Sequence, residues 1–205
     1  MTRPPCVILA GGKARRMGGG DKGLLELAGQ TLIERVIARL TPQCGAIAIN
    51  ANGDPARFAH LGLPVLPDSV PGHLGPLAGV LAGLDWAAEC GAQTIVTAAA
   101  DTPFLPGDLA ARLLTAAEAG AHPLALAATE EEGRVVRHPT FGLWPTALRE
   151  DLRNSLQDGT RKVVEWADRH RAAIALFGGS DAPFFNVNTP EDLATARDRA
   201  RRLAP

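Results

Sequence analysis

Residues 6–23 read Cys6-Val7-Ile8-Leu9-Ala10-Gly11-Gly12-Lys13-Ala14-Arg15-Arg16-Met17-Gly18-Gly19-Gly20-Asp21-Lys22-Gly23. Cys6 to Ala10 is a short apolar run, as expected of a buried strand, and Gly11-Gly12 ends it. Glycine lets backbone N–H groups approach a ligand with no Cβ in the way. Consecutive N–H groups can then form a concave anion site. Lys13, Arg15, Arg16 and Lys22 add positive charge, and the combination suits a triphosphate. Two familiar phosphate loops fail on spacing. A Walker A loop needs GxxxxGK[ST], whereas Lys22 here follows Asp21 and precedes Gly23. A dinucleotide fingerprint needs GxGxxG directly after the strand, and residues 11–16 do not supply it. Taken alone, the stretch also fits a solvated surface loop.

Outward from this stretch, short apolar strands alternate with helical segments. Leu32, Val36 and Leu40 recur at helical spacing within a predicted helix over Thr31–Leu40. A strand over Ala46–Asn50, a short helix over Pro55–Leu61 and a short strand at Val65-Leu66 follow. Pro76–Cys90 reads as a helix with proline in its first turn, Thr94–Ala100 as a strand, and Gly107–Ala119 as a helix. Further on, Leu124–Ala128 and Thr140–Trp144 read as strands separated by a polar turn at Glu130–Gly133. Helices over Ala147–Ser155 and Arg161–His170 and a strand over Ala173–Phe177 come next. Thr189-Pro190-Glu191-Asp192 opens a last helix, with a threonine cap, a proline and acids in the first turn.

This alternation predicts an α/β fold, a Rossmann-like and mainly parallel sheet with helices on both faces. The whole of 1–205 reads as a single domain, without linker or repeat. Right-handed crossovers line up the strand C-termini along one edge, where ligands of such folds bind. Gly11, Asn50, Asp68 and Asp101 each stand at or just past the end of a predicted strand and would meet there.

Composition narrows the function classes. With 46% hydrophobic and 21% charged residues, the chain has the makeup of a globular protein. A formal net charge of -1 gives no broad field for nucleic acid or an anionic membrane. No apolar run approaches the ~18 residues of a membrane span, and no leader-like stretch is evident, so a cytoplasmic location is expected. Cys6, Cys44 and Cys90 are odd in number and lack CxxC spacing, which points to buried free thiols rather than a disulfide or zinc site. Arg197, Arg199, Arg201 and Arg202 read as the solvated end of the last helix.

Individual residues carry open alternatives. Asp101 ends an apolar strand, where a carboxylate can hold Mg²⁺ or simply cap a turn before Thr102-Pro103; the nearby glycine loop tilts the reading to a ligand. Lys22 can offset the charge of departing pyrophosphate, and Arg16 can do so with a bidentate fork; a solvated loop side chain is the plain alternative for each. Asn50 and Asp68 by themselves have the look of turn formers. Asn186 and Asn188 alternate, so an extended segment points both amides the same way. His138 fits a hydrogen-bonded structural role equally well. His60, His73, His122 and His170 show no metal spacing, and Trp86 and Trp166 fit helix packing.

Leu-Ala-Gly-Gly-x-x-x-Arg-Met-Gly followed by Asp-Lys resembles the signature loop of the molybdenum cofactor guanylyltransferases, the MobA family, within the wider nucleotidyltransferases. The likeness continues through Asn50-Ala51-Asn52, Pro67-Asp68, Gly75-Pro76-Leu77-Ala78-Gly79, Asp101-Thr102-Pro103, His138-Pro139-Thr140 and Asn186-Val187-Asn188-Thr189-Pro190, and so spans nearly the whole chain. The resemblance implies a nucleotide-diphospho-sugar transferase-like fold. It implies transfer of GMP from GTP to the terminal phosphate of molybdopterin, with Mg²⁺ as cofactor. Leu9, Ala10, Gly11, Gly12, Lys22, Asn50, Asp68, Gly79 and Asp101 would hold the nucleotide, Asp101 also the metal. Lys22, Arg16 and Asp101 would serve catalysis. Asn186, Asn188, Arg137 and His138, with Thr140 beside them, would face the acceptor. GTP and molybdopterin are the implied substrates, and a molybdenum-insertion protein and apo-molybdoenzymes the implied partners. The alternatives are a cytidylyltransferase or sugar-phosphate nucleotidyltransferase of the same fold, and a non-catalytic GTP- or pterin-binding protein. Relatives that use pyrimidine nucleotides tend to begin Ala-Ala-Gly where this chain has Leu9-Ala10-Gly11-Gly12.

Overall fold

The computed structural model describes residues 3–11, 19–72, 74–118, 123–178 and 182–203. Its strands are β1 (Cys6–Leu9), β2 (Glu26–Leu27), β3 (Gln30–Thr31), β4 (Ile47–Asn50), β5 (Val65–Leu66), β6 (Thr94–Ala99), β7 (Ala125–Glu131), β8 (Arg134–Pro145) and β9 (Ala173–Phe177). Its helices are α1 (Leu32–Leu40), α2 (Pro76–Glu89), α3 (Leu109–Ala117), α4 (Arg149–Gln157), α5 (Val163–Arg169) and α6 (Pro190–Leu203). A seven-stranded sheet has the order β5-β4-β1-β6-β8-β7-β9, and β2 and β3 form a separate small hairpin.

Strands β5, β4, β1 and β6 are parallel neighbours, as expected of alternating strands and helices. Strand β8 runs antiparallel to both β6 and β7, while β7 and β9 are parallel. The sheet is thus mainly parallel with one reversed strand. Where the sequence suggests a strand over Thr140–Trp144 only, β8 starts at Arg134. Glu132 (φ 50°) and Gly133 (φ 75°) form the two-residue turn between β7 and β8, as the twist of a tight hairpin requires. Pro139 interrupts the reading because it cannot donate to a ladder. The pairing steps from Ala127–His138 to Leu126–Gly142, so Pro139 falls within a bulge.

Alternation along β1 sorts the core into two layers. Cys6 and Ile8 join a cluster with Ile33, Val36 and Leu40 of α1 and Leu109 and Leu113 of α3. Val7 faces the other side, with Leu77, Leu81 and Leu84 of α2, Leu152 and Leu156 of α4, and Trp166 of α5. Helix α1 starts in a capping box, since Thr31 and Glu34 satisfy each other's backbone N–H groups. A third cluster packs Leu193, Ala196 and Ala200 of α6 on Leu27, Leu32, Phe104 and Val187. This last layer brings the segment before α6 back to the end of β6, where the Val187 N–H donates to the Asp101 carbonyl at 3.0 Å. Thr189 caps α6 as expected: its hydroxyl accepts from Asp192 N, and Asp192 Oδ2 accepts from Asn188 N and Thr189 N.

Two surface expectations change. Cys6 and Cys44 are buried, but Cys90 is exposed, because it lies just past the C-terminal end of α2. Arg199 is not merely solvated: its guanidinium lies 4.2 Å from the centre of the Phe104 ring and donates to the Ala182 carbonyl. Trp166 is fully buried and Trp86 partly so, as helix packing predicts. Among the described residues, no helix is long and apolar enough to cross a membrane.

Candidate active site

The C-terminal ends of β1, β4, β5 and β6 open into one cleft of about 360 Å³, within the size range of small-molecule sites. Leu9, Ala10 and Gly11 form its floor, continued by Ala99 to Asp101 from the end of β6. Backbone bonds from Ala10 N to Asn50 O and from Ala100 N to Leu9 O carry the ladder past the strand ends, fixing the three strand ends against one another. Lys22, Asn50, Asn52, Asp68, Gly75, Pro76, Thr140 and Asn186 complete the lining. Gly12, Lys13, Arg15 and Arg16 lie outside the described residues, as do His73 and His122.

One wall is ionic. The Lys22 ammonium lies 2.5 Å from Asp101 Oδ2 and also donates to Asn188 Oδ1. Both members of the ion pair are largely buried, with 13% and 19% of their side-chain surface exposed. Thr102 donates its hydroxyl proton to Asn186 Oδ1 at 2.5 Å. The extended stretch Asn186–Asn188 therefore turns both amides toward the end of β6, as their alternation predicts. Lys22 comes from the glycine-rich segment, Asp101 from the turn just past β6, and the two asparagines from the segment before α6.

A second part of the lining is an amide–carboxylate clamp. Asn50, buried at 5% exposure, donates from Nδ2 to Asp68 Oδ1 at 3.0 Å and to the Leu66 carbonyl. Asn52 Nδ2 donates to Asp68 Oδ2 at 2.7 Å, and its Oδ1 accepts from Asp68 N at 2.9 Å. Each carboxylate oxygen of Asp68 thus has one protein donor and retains acceptor capacity toward the cleft. Gly79 does not line the cleft; it lets α2 approach Asn50. A Cβ there would sit 2.2 Å from Asn50 Oδ1 and 2.8 Å from Leu9 Cδ2.

Arg137 and His138 are not brought into the cleft. Arg137 extends to α5, where its NH1 lies 2.5 Å from Asp168 Oδ1. His138 stacks on Phe184 with ring centres 4.4 Å apart, and its Nε2 is 2.8 Å from the Thr129 hydroxyl. Burial holds its imidazole below the usual histidine pKa. The bulge at Pro139 separates these two from Thr140, which does reach the cleft. His170 Nε2 bonds to Asp151 Oδ1, away from the cleft lining.

Asn52 and Thr102 belong to this arrangement, although in the sequence they stand only inside longer motifs. Asn52 stands two residues beyond Asn50, so an extended continuation of β4 points both to one side. Thr102 could have been suspected from its place next to Asp101. Among the described residues, no cluster of three or more His, Cys, Asp or Glu side chains could hold a metal. A lone carboxylate at the end of β6 still suits Mg²⁺, which takes one or two carboxylates and completes its octahedron with water and substrate phosphates.

A strand-end cleft lined by Gly11, Gly23 and Gly75, one lysine and the two carboxylates Asp68 and Asp101 defines a nucleotidyltransferase site of the α/β class. The family described as the MobA-like NTP transferase domain matches residues 6–174. A molybdenum cofactor guanylyltransferase of Bradyrhizobium sp. (strain ORS 278) is 53% identical over 199 residues, which cover 95% of this chain and 92% of that protein. In fold, the chain is similar to molybdopterin-guanine dinucleotide biosynthesis protein A from Archaeoglobus fulgidus, with a TM-score of 0.72, 21% identity, and 97% and 100% of the two chains covered. It is also similar to 2-C-methyl-D-erythritol 4-phosphate cytidylyltransferase from Thermus thermophilus, with a TM-score of 0.70, 22% identity, and 98% and 100% covered. The chain belongs to the MobA-like NTP transferases and, among them, to the molybdenum cofactor guanylyltransferase family.

Proposed function

We propose that this protein transfers GMP from GTP to the terminal phosphate of molybdopterin and releases pyrophosphate. The observation that carries the reading is the Lys22–Asp101–Asn188 contact, where a phosphate-binding cation, a metal-competent carboxylate and the C-terminal segment meet. The acceptor's phosphate oxygen attacks the α-phosphorus of GTP in line. The bond from the α-phosphorus to the bridging oxygen breaks, and pyrophosphate leaves with that electron pair. A phosphate dianion is already a nucleophile, so no side-chain base is needed.

The chain's own residues position and neutralise. Gly11, at the end of β1 in the cleft lining, offers its backbone N–H to the triphosphate. Asp68, held by Asn50 and Asn52, accepts N–H groups of the guanine edge. Lys22 offsets the charge that builds on the leaving pyrophosphate. Asp101, with the triphosphate, is the residue to hold Mg²⁺, which when bound polarises the phosphate oxygens as a Lewis acid. Lys22 neutralises Asp101 in this structure, and its ammonium would face phosphate when Asp101 serves as the metal-holding carboxylate. Asn186 and Asn188 offer amides to the pterin, with Thr140 on the same side. Arg16 in the glycine-rich segment is a further phosphate-binding cation in this reading. The cytoplasm is the proposed location, and a molybdenum-insertion protein and apo-molybdoenzymes are the proposed partners.

The test is pyrophosphate release by the purified protein with molybdopterin and Mg²⁺, comparing GTP with CTP, ATP and UTP. Pterin-dependent release with GTP preferred supports the proposal. Preference for CTP overturns the base assignment, and binding of GTP without turnover overturns the enzymatic one.

A further inference from the structure

The segment between β4 and β5 holds an arginine that none of the chemistry above uses. Arg57 lies in a 3₁₀ turn, Pro55–Leu61. Its Nε is buried and lies 2.5 Å from Asp21 Oδ2, in an ion pair without the alignment of a hydrogen bond. Its NH2 donates to the Asn52 carbonyl at 2.6 Å, and its NH1 donates to the Asp54 carbonyl. The guanidinium also lies 4.7 Å from the ring centre of Phe58, which is fully buried. An ordinary surface ion pair contributes little because two long side chains must be ordered to make it. Arg57 is already fixed by two carbonyls and a ring, so little further ordering is needed to hold Asp21.

What it holds is the root of Lys22. Asp21 precedes Lys22 and opens the 3₁₀ turn Lys22–Leu24; its carbonyl accepts from Leu24 N, and that of Lys22 from Leu25 N. On its other side, the same guanidinium fixes the backbone of Asn52, whose amide clamps Asp68. The turn that carries Arg57 has its own supports, the Asp54 cap on Ala56 N and the buried Phe58. Its folding therefore does not depend on the Asp21 contact.

We infer that Arg57, through its ion pair with Asp21, is a positioning residue that sets Lys22 at the phosphate side of the cleft and ties it to the base-side clamp at Asn52 and Asp68. This rests on the reading of Lys22 as the group that meets the leaving phosphate.

The test combines kinetics with amide hydrogen exchange on the full chain, using Arg57→Met and Asp21→Asn, which break the pair from either end. Each lowers kcat with GTP and molybdopterin by about ten- to a hundred-fold, the scale of a misplaced catalytic group. In a Lys22→Ala background, adding Arg57→Met changes kcat by less than about two-fold, because the residue to be positioned is gone. Without any substrate, exchange at the Leu24 and Leu25 amides rises about ten-fold in both variants, while that of Ile8 in β1 does not change. Unchanged exchange at Leu24 and Leu25 overturns the inference, as does an equal loss of kcat with and without Lys22. Wild-type kcat in Lys22→Ala alone instead overturns the role given to Lys22, and the exchange result still decides whether Arg57 anchors the turn.

Discussion

Lys22 and Asp101, 79 positions apart in sequence, meet in one wall of the cleft at 2.5 Å with Asn188 on the same ammonium. The three groups come from the glycine-rich segment, the end of β6 and the segment before α6, so the contact joins three distant parts of the chain. Removing either charge leaves its partner largely buried and unpaired, a costly state. It also removes a group that the proposed reaction needs.

Asp101→Asn is therefore expected to lower kcat by about 10³-fold and Lys22→Ala by about 10²-fold, the range of losses for charge-stabilising groups. Steady-state pyrophosphate release measures both. Near-wild-type turnover in Asp101→Asn contradicts the metal assignment. Chelation with EDTA should abolish release, and added Mg²⁺ should restore it.

The Asn50–Asp68–Asn52 clamp predicts a change in base selection rather than in chemistry. Asn52→Ala frees Asp68 Oδ2 and its backbone N–H, and should raise the KM for GTP by about ten-fold while kcat falls much less. The magnitude matches the lower end of the ~1.5–3 kcal/mol carried by a hydrogen bond to a charged group. Equal losses in kcat and kcat/KM would mean that the clamp acts in the transition state instead.

Gly79 yields a stability prediction. A Cβ at that position collides with Asn50 Oδ1 at 2.2 Å, and Asn50 is buried and bonded to two partners. Gly79→Ala should destabilise the fold by about 1–3 kcal/mol, the usual cost of overpacking, and should weaken GTP binding through Asn50. Chemical denaturation with and without GTP reads both effects. Unaltered stability with unaltered binding contradicts the packing argument.

His138 makes stability depend on pH. Burial lowers its pKa in the folded state below the ordinary value of 6.5. The unfolded chain thus binds more protons in the interval between the two pKa values. The stability associated with neutral His138 is fully present above about pH 6.5 and is lost as pH falls through the folded-state pKa. The thermal midpoint of the wild type should drop from pH 7.5 to 5, and that of His138→Gln should drop less. Equal slopes would refute this origin.

Much of the parallel half was legible because its strands are short apolar runs closed by Gly11, Asn50, Asp68 and Asp101, and those punctuation marks are the site itself. The antiparallel hairpin was only partly legible. Val135 and Val136 are exposed, Pro139 breaks the ladder, and the pairing of β8 with β6 joins residues far apart in sequence. The same bulge defeats the reading of Arg137 and His138, whose spacing to Thr140 in the chain says nothing of where they point. The capping of α6 was readable from Thr189 and Asp192. The docking of α6 on Phe104, which returns Asn186 to the cleft and Asn188 to Lys22, is a tertiary contact that no local pattern encodes. Arg57 is illegible in the sequence for the same reason: its partner Asp21 precedes α1 and Arg57 follows it.

The most direct measurement follows the α-phosphate itself. Protein, Mg²⁺, molybdopterin and GTP labelled at the α-phosphorus are incubated, and the products are separated. The label is expected to move into a pterin-containing product in equal amount to the pyrophosphate released. Label that stays in GTP, or appears only as free GMP, would contradict transfer to the pterin phosphate.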